Sequence, residues 1–268
     1  MKRIALIPTI GMVISLIGLT AASGATLLVD FSGDTVGQPP ANATTSGTTS
    51  LNTILVHSGP LNQDTAPPVG RIINNPFSGN SLQFLKEGAG SSPLAIWTNL
   101  PTGNAGTLDF TAYSYYGSSY WNTTYFGVQL MDGSNVGVAV LFSGNNLLIG
   151  TDTGSGATFL SISGYTLRDQ TRDVSIDFSL ETKTYSLMID GTSVVYGASQ
   201  TEFAFMNNAV TEFDTLRFGT IAGGASLIGT QTYLESFGYT VIPEPGTGML
   251  LGLTFAVTFL RRRTTGNR

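Results

Sequence analysis

The stretch of sequence that decides the fold runs from Asp173 to Gly191 and reads DVSIDFSLETKTYSLMIDG. Its first half alternates strictly, with apolar side chains at every second position: Val174, Ile176, Phe178 and Leu180. This period of two is typical of a β-strand that turns one face to a core and the other to solvent. The alternation resumes after residues 181–184, and the dipeptide Asp190-Gly191 then predicts a tight hairpin. With a returning strand over residues 193–196, the stretch predicts a three-stranded meander.

Similar patterns on both sides extend this prediction to the rest of the chain. Upstream, residues 125–131, 136–142 and 147–150 read as strands separated by Asp-Gly-Ser-Asn and Ser-Gly-Asn-Asn turns. Downstream, residues 213–218 and 233–241 read as closing strands. Short strands with regular turn signals indicate an antiparallel sandwich or barrel. The length of the middle region favours a large all-β sandwich of two sheets.

Two segments carry a resemblance to a known fold family. One is the meander at residues 173–196, and the other is the opening Val29-Asp30-Phe31 followed by residues 34–40 (DTVGQPP). Both resemble the laminin-G-like, concanavalin-like jelly-roll family. The resemblance implies an antiparallel β-sandwich, but members of this fold include lectins, glycosidases and structural modules, so it does not choose a function.

Composition excludes several classes of function. The chain of 268 residues has 33 glycines, only 11% charged residues and no cysteine, which excludes a cysteine nucleophile, an iron–sulfur cluster and a cysteine zinc site. Residues 26–242 contain six Lys and Arg against 16 Asp and Glu, a net charge of −10. An acidic body without a basic patch argues against nucleic acid as a partner.

The N-terminus has the pattern of a secretory signal peptide. Lys2 and Arg3 precede a mostly apolar stretch at residues 4–19, and small residues follow at 21–25. Ser23 and Ala25 suit the −3 and −1 positions of a cleavage site. We expect signal peptidase to remove residues 1–25, and an uncleaved N-terminal anchor is the alternative.

The C-terminus combines a short motif, an apolar segment and a basic cluster. Pro243, Glu244 and Pro245 precede an uncharged stretch at residues 246–260, which ends at the cluster Arg261, Arg262 and Arg263. As a helix, 15 residues would extend roughly 22 Å, short for a membrane core of ~30 Å, although thinning of the bilayer would accommodate it. The arginines predict a cytoplasmic C-terminus and an exported body, in agreement with a signal peptide.

This order of features resembles the PEP-CTERM sorting signal of Gram-negative bacteria. In that family an exosortase, a membrane transpeptidase-like protease, recognises the tail, and the bacteria make extracellular polysaccharide. The resemblance implies membrane anchoring before processing and a final place in the envelope, on the surface or in the extracellular matrix. An ordinary tail anchor is the alternative. The domain organisation predicted is a signal peptide at 1–25, a β-sandwich at 26–240 and a sorting signal at 241–268.

A search for catalytic residues finds no persuasive constellation. The single histidine, His57, is more simply explained as a surface or packed residue than as a general base, and no second histidine supports a zinc site. Asp173 and Asp177 share one strand face, but they lack the Glu-x-Asp-x-x-Glu spacing of glycosidases with this fold, so solvated positions explain them better. We therefore expect no enzymatic activity.

Two kinds of binding site remain as hypotheses. A structural calcium ion would need several oxygen ligands, and Asp132 with Asn135, or Asp152 with Thr151 and Thr153, would contribute, although turns favour the same residues. An aromatic segment offers surfaces for stacking on sugar rings, and its candidate glycan-contacting residues are Tyr115, Tyr116, Tyr120 and Trp121.

The sequence thus predicts a non-enzymatic exported protein, processed by an exosortase and placed at the cell surface or in the matrix. There its β-sandwich would serve an adhesive, matrix or glycan-contacting role, with extracellular polysaccharide as the candidate partner. Two alternatives remain open: an exported glycoside hydrolase acting on polysaccharide, and a purely structural envelope protein.

Overall fold

The computed structural model describes residues 25–31, 53–58, 71–75, 79–85, 92–115, 124–223 and 231–242. This part of the chain is all β. Its sixteen strands, in chain order, are β1 (Ala25–Asp30), β2 (Thr53–Ser58), β3 (Arg71–Asn75), β4 (Gly79–Leu85), β5 (Ser92–Thr98), β6 (Ala105–Tyr115), β7 (Thr124–Asp132), β8 (Asn135–Ser143), β9 (Asn146–Asp152), β10 (Ala157–Ser163), β11 (Thr171–Ser179), β12 (Thr184–Ile189), β13 (Thr192–Ser193), β14 (Glu202–Ala204), β15 (Thr215–Gly223) and β16 (Gln231–Ile242).

The strands form two antiparallel sheets that pack face to face. Sheet A has nine strands, in the order β13-β12-β11-β6-β16-β4-β3, with β1 added to β16 and β14 added to β12. Sheet B has seven, in the order β10-β9-β8-β7-β15-β5-β2. Strands next to each other in a sheet are often distant in sequence, as β6 and β16 are. The predicted antiparallel β-sandwich is confirmed.

Aromatic side chains fill the space between the sheets. The ring of Trp97 on β5 meets the ring of Phe237 on β16 edge to face, with centroids 4.7 Å apart. Phe110 on β6 and Phe218 on β15 make the same kind of contact at 5.1 Å. Each pair joins sheet A to sheet B, and edge-to-face pairs of this kind add to the stabilisation from burial. The core therefore fixes the relative placement of the two sheets.

The predicted meander is present, with one difference. β11 pairs with β12, and Asp190 and Gly191 join β12 to β13 with φ values of 52° and 72°, as a type I′ turn requires. The returning strand β13 is only two residues long, shorter than the predicted 193–196. The reason is that the same edge of β12 is also occupied by β14, which pairs with Thr184–Ser186. The predicted meander at β7, β8 and β9 is also found.

β16 is the central strand of sheet A and sets the position of the chain's last described residues. One edge pairs with β6 along the whole strand, and the other pairs first with β4 and then with β1. A bulge between Leu234 and Ser236 separates the two segments on β6. Ala25, the first residue of β1, lies opposite Val241 near the end of β16. The two ends of the described chain therefore lie side by side.

Candidate functional site

The outer face of sheet A, opposite the core, carries a trough of about 770 Å³. It crosses five neighbouring strands, and two rows of paired residues run across it. One row joins Leu28, Gly238, Asp109, Ser175 and Met188 on β1, β16, β6, β11 and β12. The next row joins Asp30, Ser236, Thr111 and Asp173. We call these nine residues, with Thr240 and Gly191 at the margins, the trough.

Strand alternation explains why these side chains face outward. On β11, Val174, Ile176 and Phe178 are buried in the core, so the residues between them point the other way. On β6, Leu108 and Phe110 are buried in the same manner, and Asp109 between them is exposed. The antiparallel register then brings residues from four parts of the chain onto one surface.

Gly238 lies on the floor of the trough beneath the Leu28 side chain. A Cβ atom at this position would lie 3.1 Å from the Cδ2 atom of Leu28, closer than ordinary van der Waals contact. The Leu28 side chain therefore leans over the glycine, and 47% of its surface remains exposed. Leu28, together with half-buried Met188, gives the trough an apolar surface among polar neighbours.

Carboxylates give the trough its charge. Asp30, Asp109 and Asp173 line it, and all three are exposed. The Thr111 hydroxyl donates a hydrogen bond of 2.7 Å to Asp173, whereas no group among the described residues donates one to Asp109. No Lys or Arg among the described residues lines the trough. The surface thus offers carboxylate acceptors for hydrogen bonds, and its described lining residues include acidic but no basic side chains.

A fastened hairpin closes one end of the trough. The Asp190 carboxylate accepts a hydrogen bond of 3.0 Å from the backbone N–H of Asp173, and it also pairs with the Arg172 guanidinium. Arg172 in turn donates through Nε to the carbonyl of Thr166 at 3.0 Å. The positive charge next to the trough is therefore engaged with Asp190 outside it, and the tip carrying Gly191 is held in place.

The two acids that were weighed as a catalytic pair and explained as solvated positions lie where alternation requires. Asp173 and Asp177 lie on the same outer face of β11, both exposed, and Thr107 donates a hydrogen bond of 2.6 Å to Asp177. Asp109 lies on the adjacent strand, diagonally between them, because it is paired with Ser175. Of Asp173 and Asp177, only Asp173 lines the trough. The backbone of His57 lies in β2 of sheet B, opposite Pro93 and away from this surface.

The turn residues named as calcium ligands are held by hydrogen bonds within the protein. Asp132 accepts 2.8 Å and 3.1 Å bonds from the backbone and hydroxyl of Thr211, and the backbone bond is the main reason that the pKa of Asp132 is lowered. Asp152 accepts bonds from the backbone of Gly154 and Gly156 in its own turn. Among the described residues, no three acidic or histidine side chains form a cluster that would hold a metal ion.

The other predicted site residues lie mostly outside the described part. Tyr115 is the last residue of β6, paired with Gln231, and Tyr116, Tyr120 and Trp121 lie outside the described residues. So do Pro243, Glu244, Pro245, Arg261, Arg262, Arg263 and the apolar segment at 246–260. No helix in the described ranges is long and apolar enough to span a membrane.

Sequence reasoning missed Asp30, Asp109 and Gly238 as members of one surface. Each has an ordinary local explanation, because exposed Asp and Gly are common wherever strands turn one face to water. The one available signal was strand alternation. It placed Asp173 on the outward face of β11, and the same pattern at Leu108, Asp109 and Phe110 would have placed Asp109 outward, although no strand was predicted there. They lie next to Asp30 and Gly238 only because β16 pairs with β1 and with β6, two strands that are far from it in the sequence.

Comparison with known proteins identifies the C-terminal segment. Residues 241–263 match the PEP-CTERM protein-sorting motif, as the sequence resemblance predicted. This motif marks an exported protein of the Gram-negative type that passes a membrane and is processed by an exosortase. No curated protein matches the chain by sequence.

Solved structures share the fold at low identity. The binding domain of botulinum neurotoxin serotype D aligns with a TM-score of 0.53 and 12% identity, covering 82% of this chain and 49% of that one. A botulinum neurotoxin type C structure, from a protein whose cell entry depends on two ganglioside molecules, aligns at 0.52 and 10%, covering 85% and 50%. A carbohydrate esterase of Shiga toxin-encoding bacteriophage phi24B aligns at 0.51 and 13%, covering 81% and 99%. This chain spans about half the length of the neurotoxin structures, and the likeness shows the fold alone.

Proposed function

We propose that this exported protein is a non-enzymatic, polysaccharide-contacting component of the cell surface or extracellular matrix, and that the trough of sheet A binds the glycan. The observation that carries the proposal is the trough itself: a concave surface that combines an apolar platform at Leu28 with hydrogen-bond acceptors at Asp30, Asp109 and Asp173. Binding sites for small ligands combine apolar lining with a few placed polar groups in this way.

The chemistry of the trough suits a sugar ring. The C–H faces of a pyranose are apolar and would lie against Leu28 and Met188, while its hydroxyls would donate to the carboxylate of Asp109. Hydrogen bonds to a charged acceptor contribute about 1.5–3 kcal/mol each in proteins. Because the trough is open and its acids are exposed, we expect weak binding to each sugar and useful affinity only over several units of a polymer.

The charge of the trough restricts the class of polysaccharide. A uronate-bearing polymer would bring its carboxylates next to Asp30, Asp109 and Asp173, and like charges repel at this range. A neutral polysaccharide avoids that repulsion, and an amino-bearing one gains attraction. The structural similarity to ganglioside-dependent toxin domains is consistent with glycan contact but supplies only the fold.

Binding to three soluble polysaccharides tests this function. In affinity electrophoresis we expect neutral and amino-bearing polymers to retard the protein. A uronate polymer should not change its mobility. Asp109→Asn should weaken binding roughly tenfold through loss of one charged acceptor. Glu181→Gln removes the same charge at an exposed turn outside the trough and should leave binding unchanged. Equal effects of the two substitutions would contradict the proposal.

The aromatic segment provides a competing location for the same activity. Tyr115 ends the strand that also carries Asp109, and Tyr116, Tyr120 and Trp121 follow it in the sequence. We keep these residues as candidate glycan contacts. If Tyr116→Ala and Trp121→Ala abolish binding while Asp109→Asn does not, the glycan site lies in this segment and not in the trough.

A polysaccharide hydrolase is the second candidate, because Asp109 and Asp173 occupy adjacent strands. Diagonal neighbours of this kind have Cα atoms about 7–8 Å apart, which would allow two carboxyl groups to flank a glycosidic bond. Against this role, both acids stand on an open face and not in a cleft that excludes water. Release of reducing ends from a soluble glycan, lost in Asp109→Asn, would establish the hydrolase. If the protein neither binds nor cleaves glycans, the structural envelope role remains.

Processing of the two ends is the remaining part of the proposal. We infer that signal peptidase removes residues 1–25 and that the tail anchors the precursor in the inner membrane before the exosortase acts. Intact mass and cell fraction, measured on protein from its own host, test this. A shortened body in the envelope or medium is expected, whereas a full-length tail in the inner membrane would indicate a plain anchor.

A further inference from the structure

The sorting motif overlaps the folded sandwich. The motif begins at Val241, while β16 continues to Ile242. Val241 pairs with Ala25 of β1 on one edge and with Gly106 of β6 on the other, and its side chain is 0% exposed. The first residue of the motif is therefore a core residue of the central strand.

The residues beside this end of β16 hold it closely. Ile242 pairs with Ala105, the first residue of β6. A Cβ atom at Gly103 would lie 2.6 Å from the carbonyl oxygen of Ile242 and 3.0 Å from Cβ of Val241, so the chain before β6 packs directly against the strand end. The side chain of Ile242 is 63% exposed, so β16 reaches the surface of the sandwich at this residue.

The length of the chain between Ile242 and the Pro-Glu-Pro motif limits how far the sorting protease can be from the sandwich. Pro243, Glu244 and Pro245 follow Ile242 without any spacer, and three residues reach at most about 11 Å from it, whatever their conformation. Proteins that recognise a peptide segment commonly hold it extended along several residues. A protease that holds the motif in this way meets the sandwich within one or two residues of its cleft.

We propose that the folded end of β16 restricts access of the sorting protease, so that processing requires Val241 and Ile242 to separate from β6 and from the segment before it, which are the contacts that remain once residues 1–25 have been removed. Local openings at strand ends cost less than global unfolding but still leave the open form in the minority. Burial of one valine and its paired backbone makes that minority on the order of one molecule in ten to one in a hundred. Tail processing thereby responds to the stability of the sandwich end.

A spacer between Ile242 and Pro243 tests the restriction in the full-length chain. About six Gly and Ser residues reach roughly 20 Å when extended and free the motif from the body. In a Gram-negative host with an exosortase, pulse-labelled precursor should convert to the shortened product roughly tenfold faster than the unmodified chain. The same spacer inserted between Ala198 and Ser199, in an exposed hairpin distant in sequence, is the control and should leave the rate unchanged.

A second variant acts on the strand end without lengthening the chain. Gly103→Ala adds a methyl group against the Ile242 carbonyl and should raise the rate of processing, while thermal unfolding of the whole body changes little. Gly238→Ala, in the middle of β16 where the new methyl meets only the end of Leu28, is the matched control. Processing in both the spacer variant and Gly103→Ala that is no faster than in the unmodified chain would overturn the proposal. Glycan binding plays no part in this readout.

Discussion

The two faces of sheet A are built from the same strands and perform opposite tasks. On β6 and β11 the inward residues Phe110, Val174 and Ile176 are buried against sheet B, while Asp109 and Asp173 between them stand in water. The side chains of the inner face are packed about as densely as molecules in an organic crystal. The outer face keeps a trough in which the Asp109 carboxylate and the apolar platform at Leu28 face solvent. Stability and binding should therefore respond to different substitutions on the same strands.

The largest effect is expected on the inner face. Trp97→Ala removes a fully buried side chain that contacts Phe218 and Phe237 edge to face, and should lower the free energy of unfolding by about 3–5 kcal/mol. Leu28→Ala on the outer face removes a side chain that is already 47% exposed and should cost about 1 kcal/mol or less. Denaturant unfolding of both variants measures the difference. Similar losses would mean that the trough is part of the core.

Alkaline pH should act on the inner face alone. Burial raises the pKa of Tyr185 and of Tyr239 well above the ordinary 10.0. A raised folded-state pKa means that the folded protein keeps a proton that the unfolded chain releases. The resulting stabilisation is complete below pH 10 and is lost as pH rises above it, at up to about 1.4 kcal/mol per pH unit for each tyrosine.

Unfolding by denaturant between pH 9 and 11.5 checks this dependence. Stability should fall above pH 10 in the natural protein and fall less steeply in Tyr239→Phe. The outer-face variant Asp109→Asn should follow the natural profile, because the substitution leaves both buried phenols in place. A profile that is flat to pH 11.5 would show that neither phenol stays protonated through burial.

Removing one hydroxyl group from each face should give a smaller difference in the free energy of unfolding, from two closely matched substitutions. The buried Tyr185 hydroxyl donates a 2.5 Å hydrogen bond to the carbonyl of Gly150, so Tyr185→Phe should cost about 1–3 kcal/mol at pH 7 by leaving that carbonyl without its donor. Thr111→Val on the outer face removes the donor to Asp173, where water replaces it, and should cost less than about 0.5 kcal/mol. Thermal unfolding of the pair is sufficient, and a reversed order would contradict the assignment of faces.

The same contrast explains what could be predicted from the sequence. Alternation at Val174, Ile176 and Phe178 reveals which side of β11 is buried, because that property belongs to one strand. The type I′ turn at Asp190-Gly191 is likewise local. Which residues share the trough is not a local property. Asp30 and Asp173 lie in the same row only because β16 and β6 pair between their strands, and no short sequence pattern encodes those pairings. The short β13 was missed for a similar reason, since β14 comes from a later part of the chain.

The sorting motif illustrates the complementary case. Pro243-Glu244-Pro245, the apolar segment and the arginine cluster are recognisable without any fold, because a processing enzyme reads them as linear sequence. The sequence could not indicate that the motif starts inside a strand. That overlap required the pairing of Val241 with Ala25 and Gly106, which again joins distant parts of the chain.

Substitution of Gly238 should change stability least of all these variants while clearly weakening glycan binding. Gly238→Val places a β-branched side chain on the floor of the trough, where only the tip of Leu28 must move, and valine favours strands more than glycine does. The free energy of unfolding should therefore stay within about 0.5 kcal/mol of its original value, while the filled floor weakens binding of neutral polysaccharide roughly tenfold. Unlike Asp109→Asn, this variant leaves the charge of the trough untouched, so parallel losses in the two would show that shape and charge act at one site. If Gly238→Val keeps its stability and binds the polysaccharide as well as the natural protein does, the glycan site does not lie on the outer face of sheet A, and that face is ordinary solvated surface.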